Sequence, residues 1–225
     1  MLKITESEKE NLFSLVDTLV ANGFKKALTC NCTTYVVDTD SLYTWKGSHR
    51  SFLKNNHLSI ENGATRIVVI SDNKWVLKFS PLESDMTQDY NYLEAEYYQR
   101  ACEENLEYLF AATYCLGARC GLMIYAQERV KVDEDCTSDS FLNYTLENYF
   151  DRCSHEDYSE EEIQEAAWEE SCELDNDDRI YAMIENAHDA DKLIYFINKY
   201  DINDLHCGNW GYRGDQPVLI DYSGY

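Results

Sequence analysis

Asp204-Leu205-His206-Cys207-Gly208-Asn209-Trp210-Gly211-Tyr212, a turn at Arg213-Gly214-Asp215 and the run Pro217-Val218-Leu219-Ile220-Asp221-Tyr222 carry the most specific chemistry in this chain. The apolar run from Val218 to Ile220 predicts a strand that delivers a carboxylate at its end, and the turn before it folds Asp204 and Asn209 back toward that carboxylate. Oxygen donors in this number suit Mg²⁺, which takes one or two carboxylates or amides from a protein and leaves its other positions to phosphates and water. Phosphoryl transfer asks little covalent chemistry of a protein beyond such an ion and a group that orients the attacking hydroxyl.

Working outward, Ile180 to Tyr200 repeats apolar residues at helical spacing through Ile184, Leu193, Ile194, Phe196 and Ile197, so a helix leads into this stretch. Before it, Asp151 to Asp178 holds thirteen acids against one base, Arg152. Ile163, Ala166, Ala167 and Trp168 predict an acidic helix there that packs one narrow stripe. Further upstream, Arg66 to Ser71 and Trp75 to Phe79 flank an Asp72-Asn73 turn and predict an antiparallel hairpin ending at Pro81. Asp89 to Glu107 predicts a helix with Leu93, Tyr97, Ala101 and Leu106 toward the core, and strands follow at Phe110 to Cys115 and Leu122 to Val130. Near the N-terminus, Leu12, Phe13, Leu15, Val16, Leu19 and Val20 predict an amphipathic helix over Ser7 to Phe24, opened by a Thr5 to Glu8 capping box and stopped at Gly23. Within Ala27 to Trp45 the run T-T-Y-V-V-D-T-D has strand propensity, and Lys46 to His57 reads as a loop or short helix.

With 225 residues, 44% hydrophobic and 13% aromatic, the chain has the length and packing material for a proper core without staples. The nine cysteines are odd in number and lack CxxC spacing, so they read as reduced thiols; Cys30 and Cys32 share one strand face and leave a minor metal or redox role open. No basic-then-apolar leader opens the sequence and no apolar stretch is long enough to cross a bilayer, so a cytoplasmic protein without membrane contact is expected. The formal net charge of −23 argues against nucleic acid as a partner and leaves room for a basic protein.

D-L-H-C-G-N followed by L-I-D-Y resembles the D-L-H-x-G-N and I-D-F pair of the aminoglycoside-phosphotransferase-like branch of the protein-kinase superfamily. The resemblance implies an α+β, two-lobed protein-kinase-like fold, with a small antiparallel-sheet N-lobe and a reduced, mostly helical C-lobe. Residues 1–57 would be an N-terminal extension, 58–130 the N-lobe and hinge, and 131–225 the C-lobe containing the acidic insertion at about 151–178. ATP and Mg²⁺ are the implied cofactors. Asp204 would orient the acceptor hydroxyl, and Asn209 and Asp221 would hold the metal. His206 would sit near the γ-phosphate, or else bond the loop backbone structurally. Lys78 in V-L-K-F resembles the V-A-I-K lysine that reaches the α- and β-phosphates and pairs with a glutamate of the next helix.

Glu94 and Glu96 compete for that pairing. Glu94 has Tyr97 and Tyr98 at i+3 and i+4 and so borders the buried face, which selects it. Backbone groups around Gln127 to Val130, Glu128 and Val130 among them, would meet the adenine. Gly63 and Arg66 belong to the stretch that would cover the phosphates, which departs from the family in having a single glycine. Ile202 stands where the family usually has histidine, and with Tyr225 four residues past Asp221 an activation segment is not expected.

A phosphotransferase acting on a hydroxyl-bearing acceptor is the leading reading. A pseudoenzyme is the alternative: an acidic phage or mobile-element protein that binds nucleotide but works by blocking a basic host protein in the host cytoplasm, as a DNA mimic. Nucleotidyl transfer on the same fold is a third. A lysine aimed at phosphate is not a packing residue, so Lys78→Ala is expected to spare the fold.

Overall fold

The computed structural model describes residues 2–28, 39–62, 67–71, 74–82, 89–132, 192, 195–197, 199–202, 209–214 and 216–223. The acidic segment 151–178 and the paired cysteines at 30 and 32 lie outside them. The chain divides into two compact units, one formed by Met1–Tyr98 with Ala112–Arg129 and the other by Gln99–Ala111 with Val130–Tyr225.

The first unit opens with α1 (Glu6–Ala21), capped as its sequence dictates: Thr5 accepts from the Glu8 amide while the Glu8 carboxylate accepts from the Thr5 N–H at 2.8 Å. Its apolar stripe buries Leu12, Phe13, Val16 and Leu19. Gly23, at φ 80°, takes the left-handed conformation that turns the chain into a 3₁₀ segment, Phe24–Ala27. Two helices follow, α2 (Thr39–Ser48) and α3 (Arg50–Asn55). The expected strand therefore does not reach Thr39–Trp45. Leu42 and Trp45, three apart, are buried together, and the Trp45 indole donates to the Asn22 carbonyl at 2.8 Å and packs edge-on to Phe24. That packing prevails over a local β-propensity whose β-branched residues end at Val37 and Thr39.

Five antiparallel strands form the sheet of this unit: β1 (Ser59–Asn62), β2 (Ile67–Ile70), β3 (Trp75–Pro81), β4 (Thr113–Arg119) and β5 (Leu122–Glu128), in the order β1-β2-β3-β5-β4. The β2–β3 hairpin lies where its sequence predicts. β1 was not foreseen, because this short edge strand has only Ile60 as a clearly buried anchor and no periodic signal of its own. Trp75 through Ser80 are all buried, so β3 is covered on both faces. Phe79 packs edge-on against Phe24, on the face opposite Lys78 and Ser80. Lys74 pairs with Glu8 at 2.7 Å, the Arg119 guanidinium grips Asp17, and Tyr114 donates to the Leu2 carbonyl. The described residues among the first 57 thus lie in the same compact unit as the sheet.

Between β3 and β4 runs α4 (Tyr90–Glu103), started by Asp89, whose carboxylate accepts from the Asn91 and Tyr92 amides. It stops before the expected Glu107, because Asn105 turns left-handed at φ 60° and the Leu106 N–H bonds back to Ala101 at 2.8 Å. The buried positions are Asn91, Glu94, Tyr98 and Ala101, whereas Leu93 and Tyr97 are half-buried. The stripe is displaced from the expected one because polar residues, not only apolar ones, face the sheet.

In the second unit β6 (Lys131–Val132), β7 (Trp210–Arg213) and β8 (Gln216–Leu219) form a three-stranded antiparallel sheet. Phe110 lies between the rings of Phe196 and Tyr222, at 5.2 and 5.0 Å between centroids. The Tyr222 hydroxyl donates to the Ala111 carbonyl at 2.8 Å, and Arg213 donates to the carbonyls of Tyr108 and Phe110. Phe196 and Ile197 of the predicted helix are buried, and the left-handed Asp201 ends that helix ahead of a buried Ile202. The architecture is mixed α+β with antiparallel sheets, and among the described residues no helix is long and apolar enough to cross a membrane.

Thr5→Ala removes the cap acceptor and should lower unfolding free energy by about 1 kcal/mol in a urea titration. Arg119 holds the exposed Asp17 carboxyl down at about 2, against an ordinary 3.8. That contribution is fully present above the ordinary value and lost as pH falls toward 2, so Arg119→Met should flatten the melting temperature's decline over that interval.

Candidate functional site

Lys78 stands on β3 opposite Tyr125 of β5, and its Nζ donates to Glu94 Oε2 at 2.6 Å. The two side chains are 6% and 0% exposed. Glu94 reaches the lysine because α4 turns positions 91, 94, 98 and 101 inward, whereas Glu96 is half-buried on another side. A buried ion pair is a poor source of stability, since desolvating both charges costs about as much as their attraction returns. Its presence where an apolar pair would pack calls for a use.

Polar groups continue on this side of the sheet. Gln127 Nε2 lies 3.1 Å from Thr113 Oγ1 and 3.4 Å from Glu94 Oε2. Ser80 donates to Asp89 Oδ1 at 2.7 Å, and Asn91 Nδ2 donates to the Phe79 carbonyl and to Ser80 Oγ. The Tyr125 hydroxyl faces Asp89 Oδ2 at 3.4 Å, and burial, reinforced by the Asp89 charge, pushes its pKa up, so it stays protonated as a donor. Sequence reading missed Ser80, Asp89, Asn91, Thr113 and Gln127. The available signal was Lys78 and Ser80 two apart in an otherwise apolar strand, which puts two polar side chains on one buried face.

At the end of β5, Glu128 is buried; its N–H donates to the Ala112 carbonyl at 2.7 Å and its Oε2 accepts from the Ala112 amide at 3.1 Å. The Glu128 amide is therefore bonded within its own unit. Val130 begins the second unit, where its side chain lies over Gly211 so closely that a Cβ there would come within 2.5 Å of it. Gly63 and Arg66 are outside the described residues.

In the second unit the β7–β8 hairpin, turning at Gly214 with φ 64°, brings Asn209 and Asp221 together at its open end. The Asn209 carbonyl accepts from the amides of Ile220 at 2.8 Å and Asp221 at 3.4 Å. Asn209 is buried and Asp221 half-buried, with Ser223 Oγ at 3.4 Å from Asp221 Oδ1. One amide oxygen and one carboxylate are hard donors of the kind Mg²⁺ accepts, so the residues present fit that ion. Asp204 and His206 fall outside the described residues, and among those described no three His, Cys, Asp or Glu side chains gather. The Cys120 thiol donates to Asp17 Oδ1 at 3.2 Å.

Compared with protein-family models, curated proteins and solved structures, the chain matches none.

The burial of Glu94 reverses the expectation that Lys78→Ala spares the fold. Truncating the lysine strands a sealed carboxylate and should cost about 3–5 kcal/mol in urea unfolding, whereas the double variant Lys78→Met/Glu94→Leu should recover most of that loss.

Proposed function

We propose that this chain is a kinase-like phosphotransferase of the two-lobed type, acting in the cytoplasm and moving the γ-phosphoryl group of ATP to a hydroxyl acceptor. The observation that carries this reading is the sealed pair of Lys78, on the third strand of an antiparallel sheet, with Glu94, on the helix that follows that strand. Strand lysine and helix glutamate in this order are the arrangement that protein kinases require to be in place for transfer. The adjacency of Asn209 and Asp221 supplies the second support.

In this reading the Lys78 ammonium, held by Glu94, takes charge from the α- and β-phosphates. Asn209 and Asp221 hold Mg²⁺, which when bound neutralises charge on the phosphate oxygens. By the resemblance Asp204 would accept the hydrogen bond of the acceptor hydroxyl and orient it for attack, and His206 would sit near the γ-phosphate or bond the loop backbone. By the same reading Gly63 and Arg66 would cover the phosphates, and backbone groups around Gln127 to Val130 would meet the adenine. The net charge of −23 favours a second use of the same fold, as an acidic surface that occupies a basic protein partner.

ATP with Mg²⁺ at 100 times its dissociation constant should stabilise the protein by about 2.7 kcal/mol, and Asp221→Ala should abolish that shift. Labelled phosphate should pass to an acceptor or to the chain itself, and Asp204→Ala should stop the transfer while preserving the shift. Binding without transfer to any hydroxyl would favour the binding-protein use; no shift with ATP and Mg²⁺ would overturn the nucleotide reading.

A further inference from the structure

We infer that Gln127 is the positioning residue that aims Lys78, acting through Glu94, toward a polyphosphate; the inference rests on the reading of Lys78 as the nucleotide's lysine. Gln127 is 4% exposed and sits on β5 directly opposite Thr113 of β4. Its amide nitrogen lies 3.1 Å from Thr113 Oγ1 and 3.4 Å from Glu94 Oε2, and that same carboxylate oxygen receives Lys78 Nζ at 2.6 Å.

A side-chain amide offers two N–H donors from one nitrogen, so Gln127 can serve both oxygens at once. The Glu94 carboxylate, which can only accept, selects the amide orientation that presents nitrogen, and the Thr113 hydroxyl oxygen takes the second hydrogen of that nitrogen. Glu94 is then gripped by a neutral donor from the sheet as well as by the ammonium. This matters because a lysine is a compact charge on a flexible four-carbon stem, and it is no better placed than the anion it leans on. With Glu94 on a helix and Gln127 and Thr113 on neighbouring strands, the position of the ammonium is set by three elements together. No step of transfer passes through Gln127; it holds the partner of the group that does the binding.

Gln127→Met keeps the length of the side chain and deletes both donors, while Thr113→Val deletes one of the two acceptors that hold the amide and provides a second variant should the first fail to fold. Both are made in the full chain. The first readout is the ¹⁵N-detected resonance of the Lys78 ammonium, assigned by its loss in Lys78→Met. In the parent a sealed, hydrogen-bonded ammonium should exchange slowly and give a distinct peak; in either variant its exchange should quicken about tenfold. The second readout is the dissociation constant for ATP with Mg²⁺, which should rise about tenfold in Gln127→Met but change little when Lys78→Met is already present.

An unchanged Lys78 resonance in both variants overturns the inference whatever the nucleotide does. So does a changed resonance with unchanged affinity in a parent that binds ATP. A parent that binds no ATP refutes the functional reading separately, and the Lys78 resonance then decides alone whether Gln127 holds the pair.

Discussion

A charge sealed from water has to be answered at hydrogen-bonding distance, and the first unit is built around one such answer, Lys78 against Glu94 at 2.6 Å. The pair dictates the rotation of α4, because only a stripe through positions 91, 94 and 98 lets Glu94 reach β3. It also dictates the polar character of that side of the sheet: Gln127, Thr113, Ser80, Asp89 and Asn91 are buried there and bonded to one another or to backbone. The other face of β3 is ordinary apolar core, closed by Phe24 on Phe79 and by the N-terminal helices. A strand polar on one buried face and apolar on the other holds its lysine in a dry setting, where its attraction to the Glu94 carboxylate is far stronger than it would be in water.

The second unit brings Asn209 and Asp221 side by side from the two ends of a hairpin. A tight hairpin does this at low entropic cost, since only the short β7–β8 turn separates the two strands. Arg213 ties the turn end of the hairpin to the carbonyls of Tyr108 and Phe110, and Tyr222, next to Asp221, ties the open end to the Ala111 carbonyl and the Phe110 ring. Gly211 leaves the sequence little freedom, because Val130, the Lys131 carbonyl and Ile220 all close on its missing side chain.

Where reading the sequence went astray, tertiary packing overrode a local signal. Thr39 to Trp45 carries the tail of a β-branched run, yet Trp45 gains more by burying against Phe24 as part of a helix. Leu93 and Tyr97 look like core positions because they are apolar, but the α4 face that meets the sheet was chosen by Glu94 and Asn91, whose hydrogen bonds no hydropathy pattern weighs. β1 is held by backbone pairing with β2 along its length, which leaves only Ile60 as a trace in composition.

The order of residues alone determined the capping box of α1, the β2–β3 hairpin and the choice of Glu94 over Glu96, because each depends on spacing within one turn or one helical repeat. It also determined that Asn209 and Asp221 share one end of a hairpin, since a turn of fixed length between two strands fixes what lies opposite what. Only the tertiary structure decided that Lys78 is sealed, that Glu128 spends its amide on Ala112, and that Gln127 and Thr113 reach the same carboxylate as the lysine. Those outcomes depend on elements far apart in the chain meeting across a sheet, and burial is a property of the neighbours a side chain acquires, which its own place in the sequence does not contain.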